Sequence, residues 1–143
     1  MSPAEHVAEV LGGRPVLRRN VRTWRDLERL VQEGLPKRSL QSVARRVVEP
    51  AASVNAFVYR VVPPATFKRR KRLTPDESER TERLARVVAL AEQLWGNEQE
   101  ARAFLNRPHR LLDDETPLTV ARSELGARRI EQLLLDIEHG LPL

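Results

Sequence analysis

The sequence predicts an all-α protein, with an N-terminal helix-turn-helix-like part followed by a small C-terminal helical domain, and three observations carry that reading. Only six aromatics (Trp24, Phe57, Tyr59, Phe67, Trp95 and Phe104) occur in 143 residues, which leaves the core to Leu, Val and Ala. Apolar residues recur at three- and four-residue spacing through most of the chain, the period of a helix face. Ser, Thr or Asn before these stretches, and Gly or Pro after them, read as helix starts and stops.

In order along the chain, the first 20 or so residues, with Gly12-Gly13 and Pro15, suggest no definite element. Trp24, Leu27, Leu30 and Val31 line one helix face that Gly34 ends. Pro36 starts a helix carrying Leu40, Val43, Ala44 and Val47, which Pro50 ends. Ser53 is placed to cap a helix with Val54, Phe57 and Val58, and the β-prone run Val58–Val62 makes a strand the alternative there. Pro64 opens a helix carrying Lys68-Arg69-Arg70-Lys71-Arg72. Thr74-Pro75-Asp76-Glu77 combines an N-cap, a proline at the first helical position and a glutamate placed for the capping box. Leu84, Val87, Val88, Ala91, Leu94 and Trp95 form its stripe, and Gly96 closes it. Asn97 caps the next helix, which carries Ala101, Ala103, Phe104 and Leu105 and stops at Asn106 and Pro108. Residues 106–116 read as a loop, Thr116-Pro117 begins a short helix near Leu118–Arg122, and a last helix spans about Gly126 to His139 before Gly140.

Charge divides the chain. Residues 1–72 carry a balance of +10 and residues 73–143 a balance of −5, so the front half suits a polyanion and the back half does not. The division places domain boundaries at 1–73 and 74–143. With no cysteine, disulfides, thiolate metal sites and a thiol nucleophile are excluded, in keeping with a cytoplasmic location. No apolar run approaches the roughly 18 residues of a membrane span, and MSPAEHVAEV has no signal-peptide pattern. His6, His109 and His139 lack metal-ligand spacing, and Asp113-Asp114-Glu115 reads as a polar loop. Neither a phosphate-cradling glycine motif nor a nucleophile–base pair is present, so the expectation is a non-enzyme without cofactor or metal.

Two segments suggest binding. Residues 53–72 resemble a helix-turn-helix, with Phe67 turned inward against Val54 and Phe57, and Thr66, Lys68, Arg69 and Arg70 turned outward. Taken alone, KRRKR is as consistent with a solvated helix end as with a DNA grip, and a nuclear-type address is the weaker reading. Leu141-Pro142-Leu143, placed after a helix stop, reads either as a frayed end or as an element that docks on a partner.

The ordered set LTPDESER, LWGNEQEA, FLNRP, TPL, GARR and IEHG, with VLGGRPVL and VQEGLPKRSLQSVARRV upstream, resembles the Xre/MbcA/ParS antitoxins from about Ala8 to Leu141. The resemblance implies a C-terminal toxin-binding domain after the helix-turn-helix, a homodimer, and a partner that is a RES-domain toxin. Such toxins resemble ADP-ribosyltransferases and consume NAD, so that chemistry would belong to the partner. The antitoxin would cover the toxin's active site and repress its own operon by binding operator DNA. By the same resemblance, Thr66, Lys68, Arg69, Arg70, Lys71 and Arg72 contact DNA. Leu118, Arg128, Arg129, Glu131, His139, Gly140, Leu141 and Leu143 contact toxin. The sequence departs from the family at Leu111-Leu112-Asp113-Asp114-Glu115, where a Gly-rich basic loop is usual, and at the proline-bearing segment 49–64. The second reading is a helix-turn-helix regulator or segregation factor without a toxin. The acidic, well-capped C-terminal half with its apolar tail favours the first.

Overall fold

A computed structural model describes every residue except Ala51 and residues 141–143. Among the described residues the chain forms ten α-helices and no strand. In order these are α1 (Pro3–Val10), α2 (Gly13–Leu17), α3 (Trp24–Glu33), α4 (Lys37–Val47), α5 (Val54–Val61), α6 (Pro64–Arg69), α7 (Pro75–Trp95), α8 (Glu98–Leu105), α9 (Pro117–Val120) and α10 (Glu124–Glu138), with a 3-10 turn at Arg110–Leu112.

The helix α7 organises the rest. Thr74 caps it, its side chain accepting from Glu77 N–H while the Glu77 carboxylate accepts from Thr74 N–H at 2.8 Å. Gly96, at φ 78°, closes it in the left-handed conformation. Between these ends α7 packs against α1, α3, α4, α5, α8 and α10. Its buried residues include the expected Leu84, Val87, Val88 and Ala91, and also Ala85 and Ala89. An amphipathic stripe buries one side of a helix. Here small alanines beside the stripe admit neighbours on further sides, and one hydrophobic cluster runs from Val7 to Leu134.

Two helices come from the segment that showed no definite element in the sequence. Ser2 and Glu5 form a capping box that starts α1, with Pro3 in the first turn. Gly12 and Gly13, at φ 112° and 65°, turn the chain into α2; a Cβ on Gly12 would lie 2.5 Å from Val16 Cγ2. Residues 58–61 are helical and not a strand. Ser53 accepts from Ala56 N–H, and Val58 and Val62 are buried one turn apart. Burial against α4 outweighs the β preference of the valines. The last helix begins at Glu124, two residues before the expected start, because Ser123 accepts from Gly126 N–H at 2.9 Å. A Cβ on Gly126 would stand 1.7 Å from the Val120 carbonyl oxygen, so only glycine lets α9 and α10 meet there. The 106–116 loop folds back on itself: His109 N–H donates to Glu115 O at 3.0 Å, and Leu112 is buried.

The polar interior is concentrated on Glu92, whose side chain is only 5% exposed. Arg46 Nη1 of α4 lies 2.7 Å from Glu92 Oε1, and His6 Nε2 of α1 lies 3.0 Å from the same oxygen. Arg46 also reaches Glu98 at 3.2 Å. Removing Glu92 would leave Arg46 without its closest counter-charge in a largely dry site. Glu92→Ala is expected to lower stability by about 3 kcal/mol, while Glu98→Ala, at the exposed end of the network, changes it by roughly 0.5 kcal/mol. Urea unfolding of the two variants checks this; equal midpoints for both would show that Glu92 does not hold the helices together.

Candidate functional site

Residues 53–72, expected to resemble a helix-turn-helix, contain two short helices, α5 and α6, joined by a turn. Pro64 sits in the first turn of α6 and Phe67 is buried on its inner side at 5% exposure. Burying a phenylalanine contributes about 2–3 kcal/mol, enough to fix the short α6 on the fold. Its aromatic partner is Tyr59, edge-on with centroids 6.2 Å apart. Phe57 instead lines a cleft with Leu84 and Leu118. Lys37, from the start of α4, lies 4.9 Å over the Phe67 ring and donates to Phe67 O at 3.4 Å. Nothing in the linear sequence links Lys37 to α6; the contact depends on how α4 and α6 pack.

The sequence predicted one helix carrying all five consecutive basic residues, and the structure divides them. The helix ends at Arg69, and Arg70 adopts an extended conformation. Leu73 is buried and its N–H donates to Leu35 O at 2.8 Å, which draws the chain across the α3–α4 turn. Gly34 (φ 96°) makes that approach possible, since a Cβ would lie 2.4 Å from Leu73 O. Arg72 Nη1 donates to Gly34 O at 2.7 Å, and Arg70 lies 3.5 Å from Glu77. Lys68, Arg69 and Lys71 are exposed and in no ion pair among the described residues; Thr66 is half-buried. Arg70 and Arg72 thus reach other parts of the fold, whereas Lys68 and Lys71 stay open to solvent and Arg69 donates only to Ala65 O of its own helix at 3.3 Å. The sign reversal at Glu77 has a structural use: one carboxylate closes the α7 capping box and faces Arg70.

The C-terminal residues singled out in the sequence face different ways. Leu118 is half-buried in a cleft of about 140 Å³ shared with Phe57, Arg60 and Arg80. Arg128 pairs with Glu124 at 3.3 Å, and Arg129 lies 3.9 Å from Asp113 of the acidic loop. Glu131 turns toward α7, 3.4 Å from Arg86. His139 and Gly140 are exposed at the end of α10, while Leu141 and Leu143 lie outside the described residues. Among the described residues no three His, Cys, Asp or Glu side chains gather as a cation site, and no helix is long and apolar enough to cross a membrane.

A groove of about 690 Å³ opens between α1, α3, α7 and α10. Trp24, Leu27, Val31, Leu90 and Leu135 supply apolar lining, with Glu28, Glu79, Glu82, Glu124 and Glu131 among them. Burial pushes the Glu82 carboxyl up to about 7; Arg86, 2.9 Å away, pulls it down, and Glu131 adds to the rise. The hydrogen bond from Arg128 holds Glu124 below its ordinary value. This groove is not legible in the linear chain, because its walls come from residues more than 100 positions apart.

Residues 26–86 match the antitoxin Xre-like helix-turn-helix domain, and residues 90–140 match the antitoxin Xre/MbcA/ParS C-terminal toxin-binding domain. The two matches meet within α7. The chain is similar to an antitoxin Xre of Pseudomonas putida, 32% identical over 121 residues that cover 85% of this chain and 67% of the relative. It is also similar to an antitoxin Xre of Yersinia enterocolitica, 32% identical over 56% of this chain and 57% of the relative. A third, from Photorhabdus laumondii, is 37% identical over 49% of this chain and 48% of the relative.

The raised Glu82 carboxyl has a consequence for stability. Its folded value of about 7 lies above the ordinary 4.5, so the folded state holds the proton more tightly. The associated stability is present below about pH 4.5 and is lost as pH rises through 7. Glu82→Gln should match the wild type near pH 4.5 and exceed it by about 2–3 kcal/mol at alkaline pH. Urea midpoints across that range check this, and a variant that tracks the wild type throughout would contradict it.

Proposed function

The chain belongs to the Xre/MbcA/ParS antitoxin family, and from that premise we propose that it neutralises a RES-domain, NAD-consuming toxin in the cytoplasm and represses its own operon as a homodimer. The observation that carries the reading is that a helix-turn-helix match and a toxin-binding match follow each other along one chain. Residues 1–73 would supply DNA contact and residues 74–143 toxin contact. The family is one of antitoxins, so the reaction chemistry belongs to the toxin.

For DNA, α6 and the residues after it offer Thr66 and Lys68 to Arg72. The open side chains of Lys68, Arg69 and Lys71 suit phosphate contacts, each of which adds to the salt dependence of binding. Arg70 and Arg72 would contribute through the shape of the segment as well as through charge, because each also has a partner inside the fold. For the toxin, the proposal is steric: the end of α10, with His139, Gly140 and the tail Leu141 and Leu143, fills the mouth of the NAD pocket. Leu118, Arg128, Arg129 and Glu131 would widen the contact around it.

Two variants separate the jobs. Replacing Lys68, Arg69 and Lys71 by Ala is expected to lower the slope of log binding constant against log salt by about 0.9 per lost phosphate contact, leaving neutralisation intact. Deleting Leu141–Leu143 is expected to abolish rescue of cells that express the neighbouring toxin gene while operator mobility shifts stay unchanged. Equal loss of both activities in either variant would overturn the division. A neighbouring gene product that is harmless alone would overturn the antitoxin reading in favour of a regulator without a toxin.

A further inference from the structure

We propose that the groove between α1, α3, α7 and α10 is a docking site for a cationic amphipathic segment of a partner protein. The cavity, at about 690 Å³, falls within the range of binding pockets, roughly 300–1,000 Å³. Its rim includes two of the chain's exposed large apolar side chains, Trp24 at 52% and Leu135 at 38%. Exposed apolar surface bordered by charge is the usual mark of a protein-binding face.

Charge selects the occupant. The protein carries a net +5, yet five carboxylates and only two guanidiniums line this groove. Both guanidiniums are already engaged inside it: Arg83 with Glu124 at 3.0 Å, and Arg86 with Glu82 at 2.9 Å. Glu28 and Glu79 are exposed and in no ion pair among the described residues. A nucleic acid or an anionic membrane is repelled by such a rim. A second copy joined groove to groove would set the same carboxylates against each other. Its basic α6 is no better suited, because the one large apolar side chain of that helix, Phe67, is buried. A helix with Leu on one face and Lys or Arg on its borders meets both demands, apolar contact with Trp24, Val31 and Leu135 and counter-charge for Glu28 and Glu79.

The groove also couples docking to pH. Glu82 faces Arg83 and Arg86 on its own helix, Glu124 and Glu131 on α10, Glu79 one turn before it, Glu28 on α3 and His6 on α1. A bound cation favours the ionised carboxylate, so docking releases the proton that burial holds on Glu82. The inference stands apart from the toxin contact proposed above. Only Glu131 is common to both, and the test uses this chain without any toxin.

The test uses the full chain with Trp95→Phe, which makes Trp24 the only indole. A short amphipathic Leu/Lys peptide and its Leu/Glu counterpart are titrated against it and Trp24 emission is followed. The expected result is a saturable blue shift with Leu/Lys alone, weaker in salt and about three- to tenfold tighter at pH 8 than at pH 6. Glu28→Lys with Glu79→Lys, at exposed positions, should weaken binding at least about tenfold, and Leu135→Asp should do the same. The proposal is overturned by no shift, by an equal response to the Leu/Glu peptide, or by affinity that the charge-reversed variant retains. A blue shift that grows with protein concentration alone would overturn it too, since a second copy would then be the occupant. The comparison of the two peptides on the parent chain decides the matter even if Leu135→Asp fails to fold.

Discussion

Near the end of α7, two helices meet on one carboxylate oxygen of Glu92, which is almost entirely removed from water. Taking a carboxylate out of water is costly, and only partners at close range offset the cost. His6 and Arg46 therefore have to arrive together, which sets the positions of α1 and α4 on α7. Further bonds follow the same lines: Ser42 of α4 donates to Val10 O of α1 at 2.8 Å, and Asn106, at the end of α8, donates to Val47 O at 2.7 Å. Both candidate surfaces depend on this arrangement. The placement of α1 makes one wall of the acidic groove, and α4 carries α5 at its side.

The basic segment after α6 illustrates how backbone needs redistribute charge. Leu73 must be buried and its N–H must reach Leu35, so the helix cannot continue past Arg69. The arginines nearest that crossing, Arg70 and Arg72, turn to partners within the fold. A run that looks uniform in sequence thus has two kinds of member. An account of DNA affinity based on the number of basic residues would overcount the side chains free to meet phosphate.

Electrostatic segregation continues into three dimensions. The positive half of the chain supplies the α5–α6 unit, while α7 and α10 from the negative half face each other across the groove. One core unites them: the hydrophobic cluster is continuous from α1 to α10. Opposite charges can therefore serve different partners without separate globular units. Burial, with Glu131 and Glu124 adding to it, keeps the Glu82 proton in play near neutral pH.

Much of the helical plan was legible in the linear chain, because caps and stops act through neighbouring residues. Thr74 with Glu77, Asn97 with Glu100, Thr116 with Pro117 and Gly96 each satisfy or release backbone groups within a few positions. The inward turn of Phe67 was legible for the same reason, since a single helix period sets it. Tertiary structure decided what depends on residues distant in sequence. It made helices of the N-terminal residues around the Glu92 network and stopped α6 at Arg69 through the Leu35–Leu73 bond. It also required glycine at position 126 through the Val120 carbonyl, and brought Trp24, Glu82 and Glu131 around one groove. Local hydrogen bonding is written in adjacent residues; burial and charge pairing arise only when distant ones meet.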